Sequence, residues 1–242
     1  MSKQAVLVRR AFSLLIPHKT VPTVPWTAAH RWDLSPKRTV ILIFGLALFG
    51  LGEALLIQSH IGNSPWTVFA QGISLHTPLS VGESTFLISA IVLLTWIPLG
   101  ERPGFGTIAN MFVIAIFLQI GIDHIPLVHS NLFLSIAMVM VGIGLVGIAS
   151  AFYITCGLGP GPRDGLMTAL HKKTGVRVGR VRLCVELCAL SIGIALGGRA
   201  GLGTALFALL IGNSVAISFS LVNRVNRLNT SHKIQKTNKS AN

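Results

Sequence analysis

The sequence predicts an all-α, polytopic helical membrane protein with about six transmembrane helices, for three reasons. Of its 242 residues, 51% are hydrophobic and only 11% are charged, whereas charged residues make up about 25% of a soluble domain. The excess of basic residues is confined to the two ends of the chain and one connection. Six apolar runs have about the length that a bilayer requires. They lie near 39–58, 84–99, 105–122, 132–155, 181–197 and 202–222.

The Lys and Arg residues predict how these runs are oriented. With six spans, both ends of the chain lie on one side, and all but one of the 20 Lys and Arg residues fall there. The exception is Arg199. Because loops rich in Lys and Arg stay in the cytoplasm, both termini are expected there. The expected domains are a basic cytoplasmic arm (1–38), two transmembrane repeats (39–122 and 131–222) and a basic cytoplasmic tail (223–242).

The two transmembrane regions are predicted to be copies of one unit. A shift of 97 residues superimposes the segment from Gly45 to Ile114 on the second region without a gap, with 19 identities at 70 positions. Each copy holds three spans, and an odd number forces the copies into opposite orientations. The connection at 59–83 has no Lys or Arg and its partner at 163–182 has six, as inversion requires. Inverted repeats of this kind are common in secondary transporters, whose sites lie where broken helices meet.

A Gly-x-x-Pro motif in each copy is predicted to end a span and begin a short helix. Glycine permits a sharp turn, and proline suits the first turn of a helix but cannot continue one. The short helices are expected near 65–75 and 162–172, with Ser64 and Gly161 as N-caps. Their free N–H groups form a potential anion site. The residues that define the two breaks are Gly62, Pro65, Gly159, Gly161 and Pro162.

Four charged residues are candidates for binding a substrate within the membrane. Arg163 and Asp164 directly follow the second break, and Glu53 and Glu186 lie within the first and fifth runs. A carboxylate at membrane depth is costly and is therefore a functional candidate. Each candidate also has a structural interpretation. Asp164 would cap its own helix, the Arg163–Asp164 pair would lie among inner headgroups, Glu186 would pair with Arg182 one turn away, and Glu53 would be a helix-bonded core residue.

Other classes of function find little support in the sequence. The net charge of +13 comes from the tails and one connection rather than a basic face, so no nucleic-acid partner is expected. There is no Walker loop, zinc motif or nucleophile elbow, so we expect neither an enzyme nor a cofactor or metal. The three cysteines lie in or beside apolar segments and have no paired spacing, so no disulfide framework is expected. Cys184 and Cys188, one helical turn apart, are expected to be packing residues rather than metal ligands.

Several motifs resemble the YczE-like integral membrane proteins of the YczE/YyaS/YitT grouping. In the second copy they are GLGPGPRDGLM, TGVRVGRVR, GGRAGLGT and FALLIG, and in the first copy GNSPWTV, LSVGEST and WIPLGERPGFGT. The resemblance runs from Val40 to Phe219 and implies a bacterial inner-membrane protein of largely unassigned activity. Such proteins often read GLGPWD-like in the first copy. Here Asn63, Ser64 and Thr67 depart from that pattern, so no carboxylate role is expected in the first half-site.

The repeat, the paired helix breaks and the rare buried carboxylates favour a secondary transporter or exporter of a small solute. The alternative is a membrane scaffold or regulatory protein whose basic tails bind a cytoplasmic partner or anionic lipid. The expected partners are the lipid bilayer, an unidentified small solute and, as an open option, further copies of the chain.

Overall fold

A computed structural model describes residues 21–128 and 131–240, and within them every regular element is a helix, as the sequence predicts. In chain order the helices are α1 (Pro36–Gln58), α2 (Pro65–Ser74), α3 (Val81–Leu94), α4 (Trp96–Leu99), α5 (Phe105–His124), α6 (Leu132–Thr155), α7 (Pro162–Thr174), α8 (Val178–Ala195) and α9 (Leu202–Ser240). The last helix continues through most of the predicted C-terminal tail.

Five stretches of helix in the described part are long and apolar enough to cross a membrane. The sixth predicted span, at 181–197, corresponds to α8, whose 18 residues include Arg180, Arg182 and Glu186, and it is less apolar than the other five. The structure thus confirms a multi-pass helical membrane protein, and the count of six spans stays a prediction. The five stretches are Pro36–Gln58, Val81–Leu99, Phe105–His124, Leu132–Thr155 and Leu202–Arg224.

The first helices of the two repeats, α1 and α6, cross through glycine residues. A Cβ built on Gly45 would lie 2.9 Å from the Cβ of Phe152, and one built on Gly52 would lie 2.9 Å from the carbonyl oxygen of Gly142. The earlier residue of α1 therefore meets the later residue of α6, so these two helices run antiparallel. Small residues permit this close backbone approach, which contributes van der Waals contacts where lipid offers no hydrophobic driving force.

The two helix breaks have the predicted conformation. Gly62 and Gly159 have φ angles of +126° and +110°, which L-residues with a side chain rarely adopt. The short helices α2 and α7 then begin at prolines, with extended N-cap residues Ser64 and Gly161. The predicted N-caps are therefore confirmed.

Each break packs against the other copy through matching hydrogen bonds. The amide of Gly203 donates to the carbonyl oxygen of Ile61 at 2.8 Å. The amide of Gly106 donates to Leu158, 97 residues after Ile61, also at 2.8 Å. The start of α9 thus holds the first break, and the start of α5 holds the second. The two bonds are equivalent under the shift of 97 residues.

The copies differ at the seam between the third and last helix of each repeat. In the first copy α3 packs on α5, and we call this contact the first seam. Here the amide of Gly82 donates to Oε1 of Gln119 at 3.0 Å. The rings of Phe86 and Phe112 are 4.8 Å apart between centroids.

The second seam, between α8 and α9, lacks the equivalent contacts. A Cβ added to Gly179 or Gly212, the equivalents of Gly82 and Ala115, would meet no atom within 4 Å. Leu183 and Leu209 are the equivalents of Phe86 and Phe112. Their exposed fractions are 57% and 74%. The first seam is therefore closed and the second is open.

The described part of the N-terminal arm packs against the end of α6. The indole N–H of Trp26 donates to Oγ1 of Thr155 at 3.2 Å, and the amide of Ala28 donates to the carbonyl oxygen of Cys156 at 2.8 Å. Residues 21–35 are therefore part of the folded body. The rest of the predicted arm, 1–20, lies outside the described residues.

Candidate functional site

A polar cavity of about 140 Å³ lies where the two broken helices begin. All four predicted substrate-binding residues line it, together with two residues of the break motifs, Pro65 and Gly161. The other three break residues, Gly62, Gly159 and Pro162, lie outside its lining and shape the backbone behind it. The four predicted residues are Glu53, Arg163, Asp164 and Glu186.

Most of the lining comes from pairs of positions that are 97 residues apart. In three of these pairs one copy supplies a hydroxyl and the other a charged group. The cavity is thus built jointly by the two copies around their common interface. The eight pairs are Phe49/Val146, Glu53/Ser150, Ser64/Gly161, Trp66/Arg163, Thr85/Arg182, Ser89/Glu186, Asn110/Phe207 and Ile114/Ile211.

Glu53 is buried, with 2% of its surface exposed, and contacts the start of α2. Its Oε2 accepts hydrogen bonds from the hydroxyls of Ser64 and Thr67, both at 2.6 Å. Both donors bond to the same oxygen, so Oε1 is not engaged by them. The equivalent of Asp164 in the first copy is Thr67, and α1 places the carboxylate of Glu53 beside it. A carboxylate is therefore present in the first half-site, and its role there is untested.

Arg163 faces its own repeat equivalent across the cavity. Its guanidinium carbon lies 4.9 Å from the ring centroid of Trp66, a cation–π distance. Among the described residues it has no ion-pair partner and no hydrogen-bond acceptor. Its N–H donors are therefore available to a molecule in the cavity. The alternative, an Arg163–Asp164 pair among headgroups, does not form in this structure.

The other two carboxylates have protein partners. Asp164 accepts a hydrogen bond from the hydroxyl of Tyr153, which is 4% exposed, instead of capping its own helix. Oε1 of Glu186 accepts from Nε of Arg182 at 2.8 Å, as the alternative interpretation of Glu186 predicts. The cavity thus contains three carboxylates and two guanidinium groups, of which Arg163 alone has neither an ion pair nor a hydrogen bond.

Both short helices direct their N-termini at the cavity. Neither N-cap side chain accepts a hydrogen bond from the backbone of its helix. The Ser64 hydroxyl bonds to Glu53 and lies 3.0 Å from Oγ1 of Thr67, and Gly161 has no side chain. The first-turn N–H groups and the partial positive charge at a helix start therefore act on whatever occupies the cavity.

A second cavity, of about 410 Å³, adjoins the first on the side of the Arg-rich connection. The two share Ile154, Asp164, Met167 and Arg182, and Arg31 lines the second. Near its rim Glu101 bonds to Lys172 and lies 3.7 Å from Arg31. The hydrogen bond from Lys172 holds the pKa of Glu101 below its ordinary value. An ionic cluster thus joins the first copy, the second copy and the N-terminal segment.

The charge pattern of the sequence did not reveal several residues of the cavity. Three of these residues are uncharged and lie outside the Gly-x-x-Pro pairs, so the sequence did not mark them as site residues. They are Trp66, Tyr153 and Asn110. The shift of 97 residues is the signal that would have found Trp66 and Asn110, because their equivalents Arg163 and Phe207 line the same cavity. Tyr153 has no such signal in the sequence, and the bond of its hydroxyl to Asp164 is seen only in the structure.

The arrangement does not resemble a metal centre. The described residues contain no group of three or more His, Cys, Asp and Glu side chains suited to a metal ion. Of the cysteines, Cys156 is buried, whereas Cys184 and Cys188 are exposed and unpaired. The expectation that Cys184 and Cys188 are packing residues was therefore wrong.

Comparison with known proteins identifies the family. The family described as a family of unknown function (DUF6198) matches residues 36–219. The chain belongs to this family. A relative in Haemophilus influenzae, described as an uncharacterized protein, is 40% identical over 207 residues, which are 86% of this chain and 94% of the relative.

Two Bacillus subtilis proteins extend the comparison and support the predicted YczE-like grouping. The uncharacterized membrane protein YczE is 34% identical over 82% of this chain and 89% of its own length. The uncharacterized protein YyaS is 28% identical over 74% and 91%, respectively. No solved structure shows a significant match to this DUF6198 member.

Proposed function

We propose that the protein is a secondary transporter that moves a small solute through the central cavity by alternating access in the bacterial inner membrane. The observation that carries this proposal is a cavity lined by eight pairs of equivalent positions and flanked by one closed and one open seam. A scaffold has no need for a polar cavity between its halves, because its contacts lie on its surface.

We further propose that the two repeats are inverted. The support is the antiparallel crossing of α1 and α6 and the reciprocal bonds at the two breaks. In an inverted pair, equivalent seams lie on opposite sides of the membrane. The charge of the connections assigns the first seam to the outside and the second to the cytoplasm, so the described conformation is open to the cytoplasm.

Exchange of the two seam conformations would then expose the cavity to the other side. Closing the second seam brings Leu183 and Leu209 together, as Phe86 and Phe112 are now. Opening the first seam separates Gly82 from Gln119. Rocking of repeats around a fixed central site is the general mechanism of transporters with this architecture. With no ATPase motif, active transport would require ion coupling.

Cross-linking tests the exchange directly. In a variant without Cys156, Cys184 and Cys188, the pair Leu183→Cys/Leu209→Cys locks the second seam, and Phe86→Cys/Phe112→Cys locks the first. A further Ser89→Cys substitution reports access to the cavity, with its thiol probed from the outside by a membrane-impermeant maleimide after the seam is locked.

We expect locking of the second seam to make position 89 reactive from the outside, and locking of the first seam to prevent that reaction. The variant with Ser89→Cys but no seam pair is the control, and its thiol should react to an extent between those of the two locked variants. If position 89 reacts equally in all three, the cavity does not alternate and the scaffold interpretation is favoured.

A further inference from the structure

We infer that the central cavity binds a small zwitterion, a solute that carries one carboxylate and one amine, such as a short-chain amino acid. This inference rests on the proposed function only for the cavity's role in transport. The assignment of the ligand comes from the charges, the free donors and the size of the cavity.

The charge of the cavity excludes a simple ion as the best ligand. Three carboxylates against two guanidinium groups leave one net negative charge. The two helix N-termini each contribute about half a positive charge, which together offset it. The cavity is therefore close to neutral as a whole. A lone cation or a lone anion would leave one charge uncompensated in a cavity that is otherwise close to neutral, which is costly away from bulk water.

Of the positive groups in this cavity, Arg163 and the two helix N-termini lack an acceptor among the described residues, whereas Arg182 is paired with Glu186. Arg163 has no protein acceptor among the described residues, and neither α2 nor α7 is capped by its N-cap side chain. A carboxylate fits these donors, because a guanidinium can bind it through two parallel N–H groups. Helix N-termini recognise a substrate carboxylate in the same way in other broken-helix sites.

The negative groups are suited to the other end of the solute. Oε1 of Glu53 is not used by Ser64 or Thr67, which bond to Oε2. The carboxylate of Asp164 accepts one described hydrogen bond, from the hydroxyl of Tyr153. Glu186 is already paired with Arg182, so an ammonium group is expected to meet Glu53 or Asp164 instead.

The volume of about 140 Å³ limits the size of the solute. A cavity of about 150 Å³ holds a benzene molecule. A short amino acid has a similar bulk, whereas a nucleotide or a disaccharide is much larger. Size and charge together point to small zwitterions.

The test is the melting temperature of the purified protein in detergent with three probes of similar size. Alanine carries both charges, alaninamide only the positive one and lactate only the negative one. A ligand that binds the native state raises the melting temperature in a concentration-dependent way. Glycine, serine and β-alanine extend the zwitterion set.

We expect at least one zwitterion to raise the melting temperature in a saturable way, with alaninamide and lactate ineffective at the same concentration. Arg163→Gln should raise the half-saturating concentration of the zwitterion at least tenfold. Arg163→Lys keeps the charge and should raise it by less. Arg180→Gln removes an exposed arginine of α8 outside the cavity and should leave binding unchanged.

Stabilisation by alaninamide alone or by lactate alone would overturn the inference in favour of a cation or an anion site. Absence of binding by every zwitterion would also overturn it. These failures are distinguishable from failure of the transport proposal, because the seam-locking experiment requires no ligand. Alternation without zwitterion binding would leave a transporter for another class of solute.

Discussion

The antiparallel crossing of α1 and α6 makes a sharp prediction about two neighbouring glycines. A Cβ on Gly142 would lie 2.8 Å from the carbonyl oxygen of Gly52 and 3.0 Å from Cδ1 of Leu56. A Cβ on Gly144, in the same helix, would meet no atom within 4 Å. Gly142→Ala therefore forces the two backbones apart, whereas Gly144→Ala does not.

The structure sets the size of the expected difference. In a helix interior, alanine is favoured over glycine by about 1 kcal/mol, and this gain applies to both variants. Overpacking costs about 1–3 kcal/mol and applies to Gly142→Ala alone, because the obstacle is a backbone oxygen that cannot rotate away. Gly144→Ala should be as stable as the wild type or more stable, and Gly142→Ala should be less stable than Gly144→Ala by about 1–3 kcal/mol.

Equilibrium unfolding in mixed micelles, followed by circular dichroism, measures this difference. Both variants replace the same residue in one helix, so changes in helix propensity and in hydrophobicity cancel. Equal stability of the two would show that α1 and α6 do not cross at Gly142, and the reasoning that places the cavity between the two repeats would fail with it.

Two further predictions concern charge and topology. The pKa of Glu101 is lowered in the folded protein, mainly by its hydrogen bond to Lys172. The contribution of Glu101 to the free energy of unfolding is therefore complete above its ordinary pKa of 4.5. That contribution is lost as the pH falls through the lower pKa of the folded state. Glu101→Gln should therefore lose less stability than the wild type on acidification over that range, as measured by thermal melts from pH 3 to 7. For topology, Thr77→Cys and Thr174→Cys place thiols at equivalent, exposed positions of the two repeats, in the background without native cysteines. An impermeant maleimide should label Thr77→Cys in intact cells and Thr174→Cys only after lysis, and labelling of both from the outside would contradict inversion.

The sequence predicts the parts of the fold that depend on local chemistry. The helix breaks follow from glycines that need positive φ and prolines that start helices, so Ser64 and Gly161 are correctly predicted as N-caps. The cavity depends on long-range placement, and there prediction from sequence is partial. Charged residues such as Glu53 stand out against an apolar background, whereas Tyr153 does not, because nothing local shows that its hydroxyl meets Asp164.

The shared sequence pattern of the two copies does not predict that one seam is closed and the other open. Gly82 and Gly179 occupy the same position in the two copies, yet one is packed and the other is open. The shared glycine therefore does not predict which seam is closed. Other residues of the seam differ between the copies, because Gln119, Phe86 and Phe112 of the closed seam correspond to Ala216, Leu183 and Leu209. Under the proposed transport mechanism, the two seams would exchange these arrangements.

The divergence of the two copies within the cavity has a physical reason. A cavity between identical halves would face each charged residue with a second copy of itself. The guanidinium of Arg163 lies 4.9 Å from the ring of Trp66. A second guanidinium at that distance would cost about 3 kcal/mol of repulsion at an effective dielectric constant of about 20. The indole ring replaces this repulsion with a cation–π attraction of about 0.5–2 kcal/mol. Ser150 opposite Glu53 and Ser89 opposite Glu186 avoid the same conflict between carboxylates. The differences between equivalent positions thus let charged groups of both signs line the cavity without a like charge at the equivalent position.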